Sequence, residues 1–446
     1  MASTIRIKKG LNIKLIGEAK KEISSIDNFD YAIKPTDFIG VFPRLLVKEG
    51  DLVKAGTPLF IDKYRENIIF TSPVSGRIEE ISRGDKRVLE EIRIKSDDRP
   101  EFEDFGKADV AKTSRDEIIE KLLKSGAWPM IRQRPYSIIA NPTDTPRGIY
   151  ISGFDSSPLA PDYAMIVKED LSDFQIGIDV LAKLAGSPVK LGLPGGKSDF
   201  PKVSNTDITY FYGPHPAGNV GIQIHNTFPI NKGDIVWVVN LHDVLIIGRL
   251  FTKGIFDTSV IIPITGSEVK NPKYFKTFKG ASIQPFVKNN LKEGLLRFIS
   301  GNVLTGNRIK PNGYLGFYHN QFSVIPEGNY HEFFGWALPG FNKFSFSKSF
   351  FAWLNPNLSY RLDTNFHGAE RAYVMTGQYE KVFPMDIYPM QLIKACLAEN
   401  IELMENLGIY EVDEEDFALV EFIDTSKTEV QYIIRKGLDL IRKEMS

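Results

Sequence analysis

Apolar and polar positions change rhythm several times along the 446 residues. From 31 to 100 the rhythm is that of short strands. In Val47-Lys48-Glu49-Gly50-Asp51-Leu52-Val53-Lys54-Ala55-Gly56-Thr57-Pro58-Leu59 apolar residues alternate with polar ones. Gly50 and Gly56 permit the tight backbone of two close turns. Residues 71–78 repeat that logic a hairpin later. From about 101 to 255 helix and strand patterns alternate, which predicts an α/β layer. Ser114 with Glu117 three positions on forms a capping box, Leu122 and Leu123 supply apolar positions, and Gly126 is placed to end that helix. Residues 179–184 read as another short helix, and 208–211 and 235–239 as strands. From 256 to 315 the pattern is strands around a helix, with Val260-Ile261-Ile262-Pro263-Ile264 first and an apolar stretch at 291–298 later. Residues 316–370 are aromatic and turn-rich. Residues 385–446 read as helical, with Asp413-Glu414-Glu415-Asp416 between two helices.

Composition narrows the function. At 42% hydrophobic content the chain supports two to four domains with real cores. The 55 basic and 56 acidic residues leave a formal charge of −1, so no global excess draws it to nucleic acid or to an anionic membrane. Cys396 is the one cysteine, which excludes a disulfide, a Cys₄ zinc site and a cysteine-ligated iron–sulfur cluster within the chain. A reducing compartment fits. The first residues lack the apolar core of a secretory signal. The most apolar stretch, 235–247, is interrupted by Asn240, His242 and Asp243 and is well short of the ~20 residues that span a bilayer as a helix. Work at a membrane would therefore pass through a partner. The six histidines show neither H-x-x-x-H nor H-x-H spacing, so zinc is not expected. Nothing resembles G-x-S-x-G, Gly153-Phe154-Asp155-Ser156-Ser157 reads as a loop after a strand, and no residue is assigned a catalytic role. Gly192-Leu193-Pro194-Gly195-Gly196-Lys197-Ser198 has Leu191 where a phosphate loop needs a glycine, and reads as a turn.

Three motifs carry a resemblance. Glu49-Gly50-Asp51-Leu52-Val53-Lys54-Ala55-Gly56, followed by Ser72-Pro73-Val74-Ser75-Gly76, resembles the two halves of a biotinyl/lipoyl-type barrel sandwich. Lys63 lies near the hairpin that bears the prosthetic lysine in such carriers. No A-M-K-M is present, so Lys63 reads as a surface lysine and the module as a rigid docking piece. Ile262-Pro263-Ile264-Thr265-Gly266-Ser267-Glu268-Val269-Lys270-Asn271-Pro272 resembles the V-T-V-T-G-x-x-V-x-x-P opening of a β-grasp ligand-binding (SLBB-like) domain. That domain occurs in the NADH-binding subunit of complex I and the C subunit of the Rnf complex. Gly213-Pro214-His215-Pro216-Ala217-Gly218-Asn219-Val220-Gly221 resembles the corresponding loop of the A-subunit family of sodium-pumping NADH:quinone reductases. The resemblance covers nearly the whole chain and implies an α+β multidomain fold. Its expected parts are an N-terminal segment with a barrel-sandwich hybrid (1–100), a Rossmann-like α/β domain (101–255), a β-grasp domain (256–330), an aromatic-rich connecting segment (331–372) and a C-terminal helical domain (373–446) resembling a ferredoxin module without clusters.

The departures bear on function. Flavin-binding relatives hold FMN phosphate on G-x-G-G-A-G-F-P-T, where bare backbone N–H groups meet the phosphate. Here Ser125-Gly126-Ala127-Trp128-Pro129-Met130-Ile131-Arg132 keeps one glycine, adds indole bulk and loses a donor at Pro129. Cluster-bearing relatives carry C-x-x-C-x-x-C-x-x-x-C-P twice. Tyr373, Thr376, Tyr379, Phe383 and Pro384 keep that spacing without cysteine, and Val412, Glu415, Ala418 and Phe422 repeat it with Ile423 in place of the proline. By resemblance, then, this chain holds no cofactor, and FAD, FMN and [2Fe–2S] sit on other subunits. The complex would use NADH and ubiquinone, reduce ubiquinone to ubiquinol and export Na⁺. The chain would be peripheral on the cytoplasmic side of a bacterial inner membrane, with membrane subunits, the B subunit among them, as partners. Aromatic candidates for quinone contact are Phe211, Tyr212, His215, His225 and Phe228, with Phe333-Phe334-Gly335-Trp336 as a further run. Residues 341–351, with their alternating phenylalanines, read as a β-hairpin edge or a docking surface. Two other readings stand beside this one: a flavin and iron–sulfur protein like the Rnf C subunit, and a non-redox ligand-binding scaffold.

Overall fold

The computed structural model describes residues 3–335, 337–374 and 377–445. At its centre lies a seven-stranded sheet in the order Ser3–Arg6, Thr206–Tyr212, Val189–Pro194, Ile149–Ser152, Val236–Val239, Ile131–Arg134, Ile138–Ile139. The first five strands are parallel and the last two run antiparallel to their neighbours. Val236–Val239 is buried along its whole length, as a strand covered on both faces must be. Helices Leu171–Ala185 and Leu241–Thr252 cover one face and meet very closely. A Cβ on Gly177 would stand 2.2 Å from the Val244 carbonyl oxygen, and one on Gly248 1.8 Å from that of Asp173. Only glycine allows this approach. The helix expected at 179–184 is thus the end of a longer one. Its Phe174, Ile178, Leu181 and Leu184 are buried in helical register, and Gly177 hid the first two turns. Ser114 and Glu117 do form the reciprocal capping box of Arg115–Ser125, and Gly126 closes it with φ +77°.

The barrel sandwich packs a four-stranded sheet (Asp30–Ile33, Leu89–Ser96, Gly76–Arg83, Leu52–Val53) against a three-stranded one (Pro43–Leu45, Pro58–Asp62, Ile69–Thr71). Phe60 and Phe70 stack at 4.3 Å between them, and Lys63 is exposed. A third sheet has the order Asn307–Ile309, Leu296–Ser300, Phe322–Pro326, Ser259–Thr265, Lys273–Phe278, Lys20–Ser25. Its centre is a parallel pair, Ser259–Thr265 with Phe322–Pro326, beside the single helical turn Gln284–Val287. The N-terminal segment therefore feeds edge strands to two other sheets. Phe322–Pro326 lies in the stretch that composition marked as aromatic and turn-rich.

Residues 341–351 form no hairpin. Gly340 and Lys348 both take positive φ, which breaks the extended run, and among the described residues only the short turn Phe351–Leu354 is regular there. Phe344 turns inward, 5.4 Å from both Tyr360 and Phe422. The helical end has its own core. Val430, Ile434, Leu438 and Ile441 form the buried stripe of Val430–Met445, packed near Cys396 and Met404. At the first cysteine-like spacing, Tyr373 and Tyr379 approach to 6.2 Å, Tyr379 donates to Asp424 at 2.7 Å, and Phe383 lies 4.7 Å from Phe417. Thr376 lies outside the described residues. At the second, Val412 and Ala418 are buried.

The helical domain is fastened to the sheet by buried charge. Arg134, on the antiparallel strand, meets Asp416 at 3.1 Å, Glu415 at 2.5 Å and Asp413 at 3.5 Å, with 4% of its side chain exposed. Replacing Arg134 with methionine leaves the buried Asp416 without its cation and Asp413 with only the longer contact to Arg435 at 3.9 Å, a cost of about 3–5 kcal/mol. The expected result is an earlier thermal transition and proteolysis of the segment after residue 373, both absent from the unmodified chain under the same conditions.

Candidate functional site: a polar cleft at the sheet switch point

Strands Ile149–Ser152 and Val236–Val239 are parallel neighbours at which the strand order reverses: Val189–Pro194 and Thr206–Tyr212 extend the sheet on one flank of Ile149–Ser152, and Val236–Val239 lies on the other. The crevice beyond their carboxyl ends is where open α/β sheets place ligands. Here it widens into a cavity of about 860 Å³. The loops that follow these strands supply Phe154, Asp155 and Asn240. The β-grasp domain closes a second side with residues 301–307 and 316–321. The barrel sandwich adds Asp37, and the helical domain adds Glu414 and Arg435.

Three imidazoles lie in or beside this space. His215 is 3% exposed. Its backbone N–H donates to Asn12 Oδ1 at 2.9 Å, and its Nδ1 lies 3.0 Å from Ser156 Oγ. His319 Nδ1 lies 2.8 Å from Ser300 Oγ. His242, in the first turn of Leu241–Thr252, donates from Nε2 to the Ile261 carbonyl at 2.8 Å, and its Nδ1 has no partner among the described residues. Burial pushes all three down to about 4, so the rings are uncharged at neutral pH. Lys279 pairs with Asp243 at 2.8 Å, both nearly solvent-free, and donates to the Phe317 carbonyl at 2.6 Å. Arg132 lies over the Tyr318 ring at 5.0 Å, and the Tyr318 hydroxyl donates to the Pro129 carbonyl at 2.6 Å. The segment 125–132 thus closes on the cavity wall. Trp128 within it is fully buried, donates to the Ala140 carbonyl at 2.8 Å and meets Trp237 edge-on at 5.5 Å.

Of the five aromatic candidates from the sequence, His215 lines the cavity. Phe211 is buried in the core shared with the helical domain. Tyr212 lies under Arg6 at 5.6 Å, outside the cavity. His225 joins the helical domain: its Nδ1 lies 2.8 Å from Glu411, and its Nε2 accepts from the Asp386 N–H at 3.1 Å. Phe228 is half exposed, with Arg147 3.0 Å above its ring. The structure therefore does not bring these five together. Arg132, Tyr318, His319 and the Lys279–Asp243 pair escaped sequence reasoning. Asp155 and Asn240 were findable as the first polar residues after two parallel strands, whereas His319 carries no such signal.

Family models match three stretches: the NqrA N-terminal barrel-sandwich hybrid domain over residues 5–97, the NqrA second alpha/beta domain over 113–256, and the NQRA C-terminal domain over 261–310. The chain is also 38% identical, over 99% of its length and the whole of the relative, to the A subunit of the Na⁺-translocating NADH-quinone reductase of Hahella chejuensis. It belongs to that A-subunit family. The A subunit of Serratia proteamaculans is likewise 38% identical, and that of Pasteurella multocida 37%, each over 99% of this chain and the whole of the relative. An NAD⁺-reducing [NiFe]-hydrogenase aligns loosely with 75% of this chain and 64% of its own, at TM-score 0.37 and 12% identity. As an A subunit, the chain is one part of a multisubunit Na⁺-translocating NADH-quinone reductase and works with the other subunits. The barrel sandwich, the α/β layer and the β-grasp domain of the sequence reading are those of the family. Among the described residues no helix is long and apolar enough to cross a membrane, and no His, Cys, Asp and Glu group could hold a metal.

His242 gives this region a testable acid limb. Its imidazole takes up a proton near 6.5 when unfolded but only near 4 when folded. Between those values the unfolded chain binds more protons, so the stability that His242 confers is present above pH 6.5 and is lost as pH falls toward 4. Glutamine can keep the bond to Ile261 without titrating. The expected outcome is that stability of the unmodified chain relative to His242→Gln falls by up to about 1.4 kcal/mol per pH unit in that window. A difference that stays constant across it contradicts the assignment.

Proposed function

We propose that this chain is the redox-inactive, peripheral member of its complex, carrying neither flavin nor iron–sulfur cluster and docking on the integral membrane subunits, the B subunit among them. The complex would sit with this chain on the cytoplasmic side of a bacterial inner membrane, oxidise NADH, reduce ubiquinone to ubiquinol and export Na⁺. FAD, FMN and [2Fe–2S] would belong to the other subunits. The observation that carries the docking role is a concentration of exposed apolar side chains in one irregular segment. Phe333 is 87% exposed, Phe341 63% and Leu354 61%, and Phe351, Trp353 and Phe366 are each about half exposed. So much exposed apolar surface on one segment supports an interface there. Phe344 and Phe346, whose alternation suggested docking, are partly buried against the helical domain and are not part of that surface.

A second reading concerns the cleft. Its rim carries Asp155, Glu414 and Glu415 against Arg132 and Arg435. Such a balance disfavours the phosphates of FMN or NADH, while Tyr163, Phe317 and Tyr318 offer flat apolar surface. An uncharged ring such as the ubiquinone head suits it better than a nucleotide.

The docking role is tested with Phe341→Ser, Phe351→Ser and Trp353→Ser combined. Each truncation of an interface aromatic costs about 1–2 kcal/mol, roughly tenfold in affinity. The expected result is loss of co-purification with the membrane subunits and an unchanged melting temperature of the isolated chain. Full assembly with the triple variant contradicts it.

A further inference from the structure

Two cavity histidines are held by one device used twice. On the α/β side, the Gly218 N–H donates to Ser156 Oγ at 2.8 Å, and that oxygen lies 3.0 Å from His215 Nδ1. On the β-grasp side, the Gly316 N–H donates to Ser300 Oγ at 2.8 Å, and that oxygen lies 2.8 Å from His319 Nδ1. A backbone N–H can only donate, so each serine oxygen is accepting. Each hydroxyl has one hydrogen, and the histidine nitrogen is its one acceptor among the described residues. Nδ1 therefore accepts, and the ring proton of each uncharged imidazole rests on Nε2.

Neither Nε2 has a protein partner among the described residues, neither is sealed from solvent, and both residues line the cavity. The rings are also held in place. A Cβ on Gly316 would stand 2.6 Å from His319 Nδ1 and one on Gly301 3.1 Å from His319 Cδ2. His215 is fixed by its backbone, which donates to Asn12 and accepts from the Leu11 N–H at 2.8 Å. Burial keeps both rings uncharged at neutral pH, so neither donor brings a positive charge that would favour an anion.

We propose that His215 and His319 are a matched pair of Nε2–H donors on two walls of the cavity, that Ser156 and Ser300 set their tautomers, and that the pair recognises an uncharged ring through its carbonyl oxygens. The proposal rests on the second reading above and deepens it: the ligand class is a cyclic diketone, and the serines are positioning residues that touch no ligand. Fixed neutral donors suit such a ligand because they offer hydrogen bonds without the desolvation that a charged partner would require.

The test is long-range ¹H–¹⁵N spectroscopy of the full chain labelled at histidine nitrogen, at pH 7. The expected result is the Nε2–H tautomer at both His215 and His319. Ser156→Ala shifts His215 alone toward mixed tautomers, Ser300→Ala shifts His319 alone, and Ser300→Thr, which keeps a hydroxyl, leaves His319 as it was. A short-chain ubiquinone then shifts both Nε2–H signals saturably, with affinity at least about tenfold weaker in either alanine variant, while FMN shifts neither. An Nδ1–H tautomer in the unmodified chain, or alanine variants with unchanged tautomers, overturns the device whatever the quinone does. Correct tautomers with both signals unmoved by the quinone overturn the ligand class and the second reading together, and leave the docking role standing.

Discussion

A guanidinium buried among carboxylates decides the shape of this molecule. Arg134 projects from the antiparallel strand Ile131–Arg134 into the segment that joins the helices of the C-terminal domain, and meets Asp413, Glu415 and Asp416 there. Arg435 reinforces the junction from Val430–Met445, at 3.3 Å from Glu414. Burial holds a charge only when it is paired and bonded, so the helical domain has one seat on the sheet. That seat makes the domain a wall of the cleft. Desolvation and crowding push the Glu414 and Glu415 carboxyls up to about 7, while Arg134 and Arg435 outweigh burial at Asp413 and hold it below the usual carboxylate range. The Glu414 and Glu415 carboxyls are thus partly neutral near pH 7, yet Arg132 and Arg435 are the only cations among the lining residues, which leaves the rim without the positive excess a phosphate needs.

The same segment carries the positions that, by resemblance, hold cysteines in cluster-bearing proteins. Glu415 stands at a cysteine-like position of the second spacing and is spent on Arg134. Tyr373, Tyr379 and Phe383 stand at positions of the first and pack against one another, Asp424 and Phe417. Trp128 and Pro129 stand in the segment that the sequence resemblance sets against the phosphate loop of flavin-binding proteins, and Tyr318 closes on it. On the proposed reading, filled volume and internal hydrogen bonds take the place that a bound group would need, since an unfilled void would cost stability. The switch-point crevice itself stays open, lined by all four domains.

Much of the architecture was legible because it is written in local chemistry. The capping box at Ser114 and Glu117, the left-handed Gly126, and the glycine-punctuated hairpins of the barrel sandwich each depend on residues a few positions apart. What depended on distance was not legible. Gly177 weakens a helix in isolation and is required by the crossing with Leu241–Thr252. Residues 341–351 alternate like a strand, yet Gly340 and Lys348 turn the chain and Phe344 finds Tyr360 and Phe422. Aromatic content alone could not say which rings share a space: Phe211 went to a core, His225 to the helical domain, and Tyr212 and Phe228 beneath arginines, while His215 and His319 line one cavity only because two domains close on one crevice. A serine one residue from Asp155 and another at the end of Leu296–Ser300 look ordinary until the fold aims both at imidazoles.

The central question for this scaffold is whether it holds a redox group of its own. The most direct measurement is the absorption spectrum of the purified full chain, taken with acid-released flavin and total iron from the same sample. A protein absorbing only in the aromatic ultraviolet, with flavin and iron far below one per chain, is what the filled loop and the cysteine-free spacings require. A yellow or brown protein with stoichiometric FMN or iron that bleaches on adding NADH would contradict it.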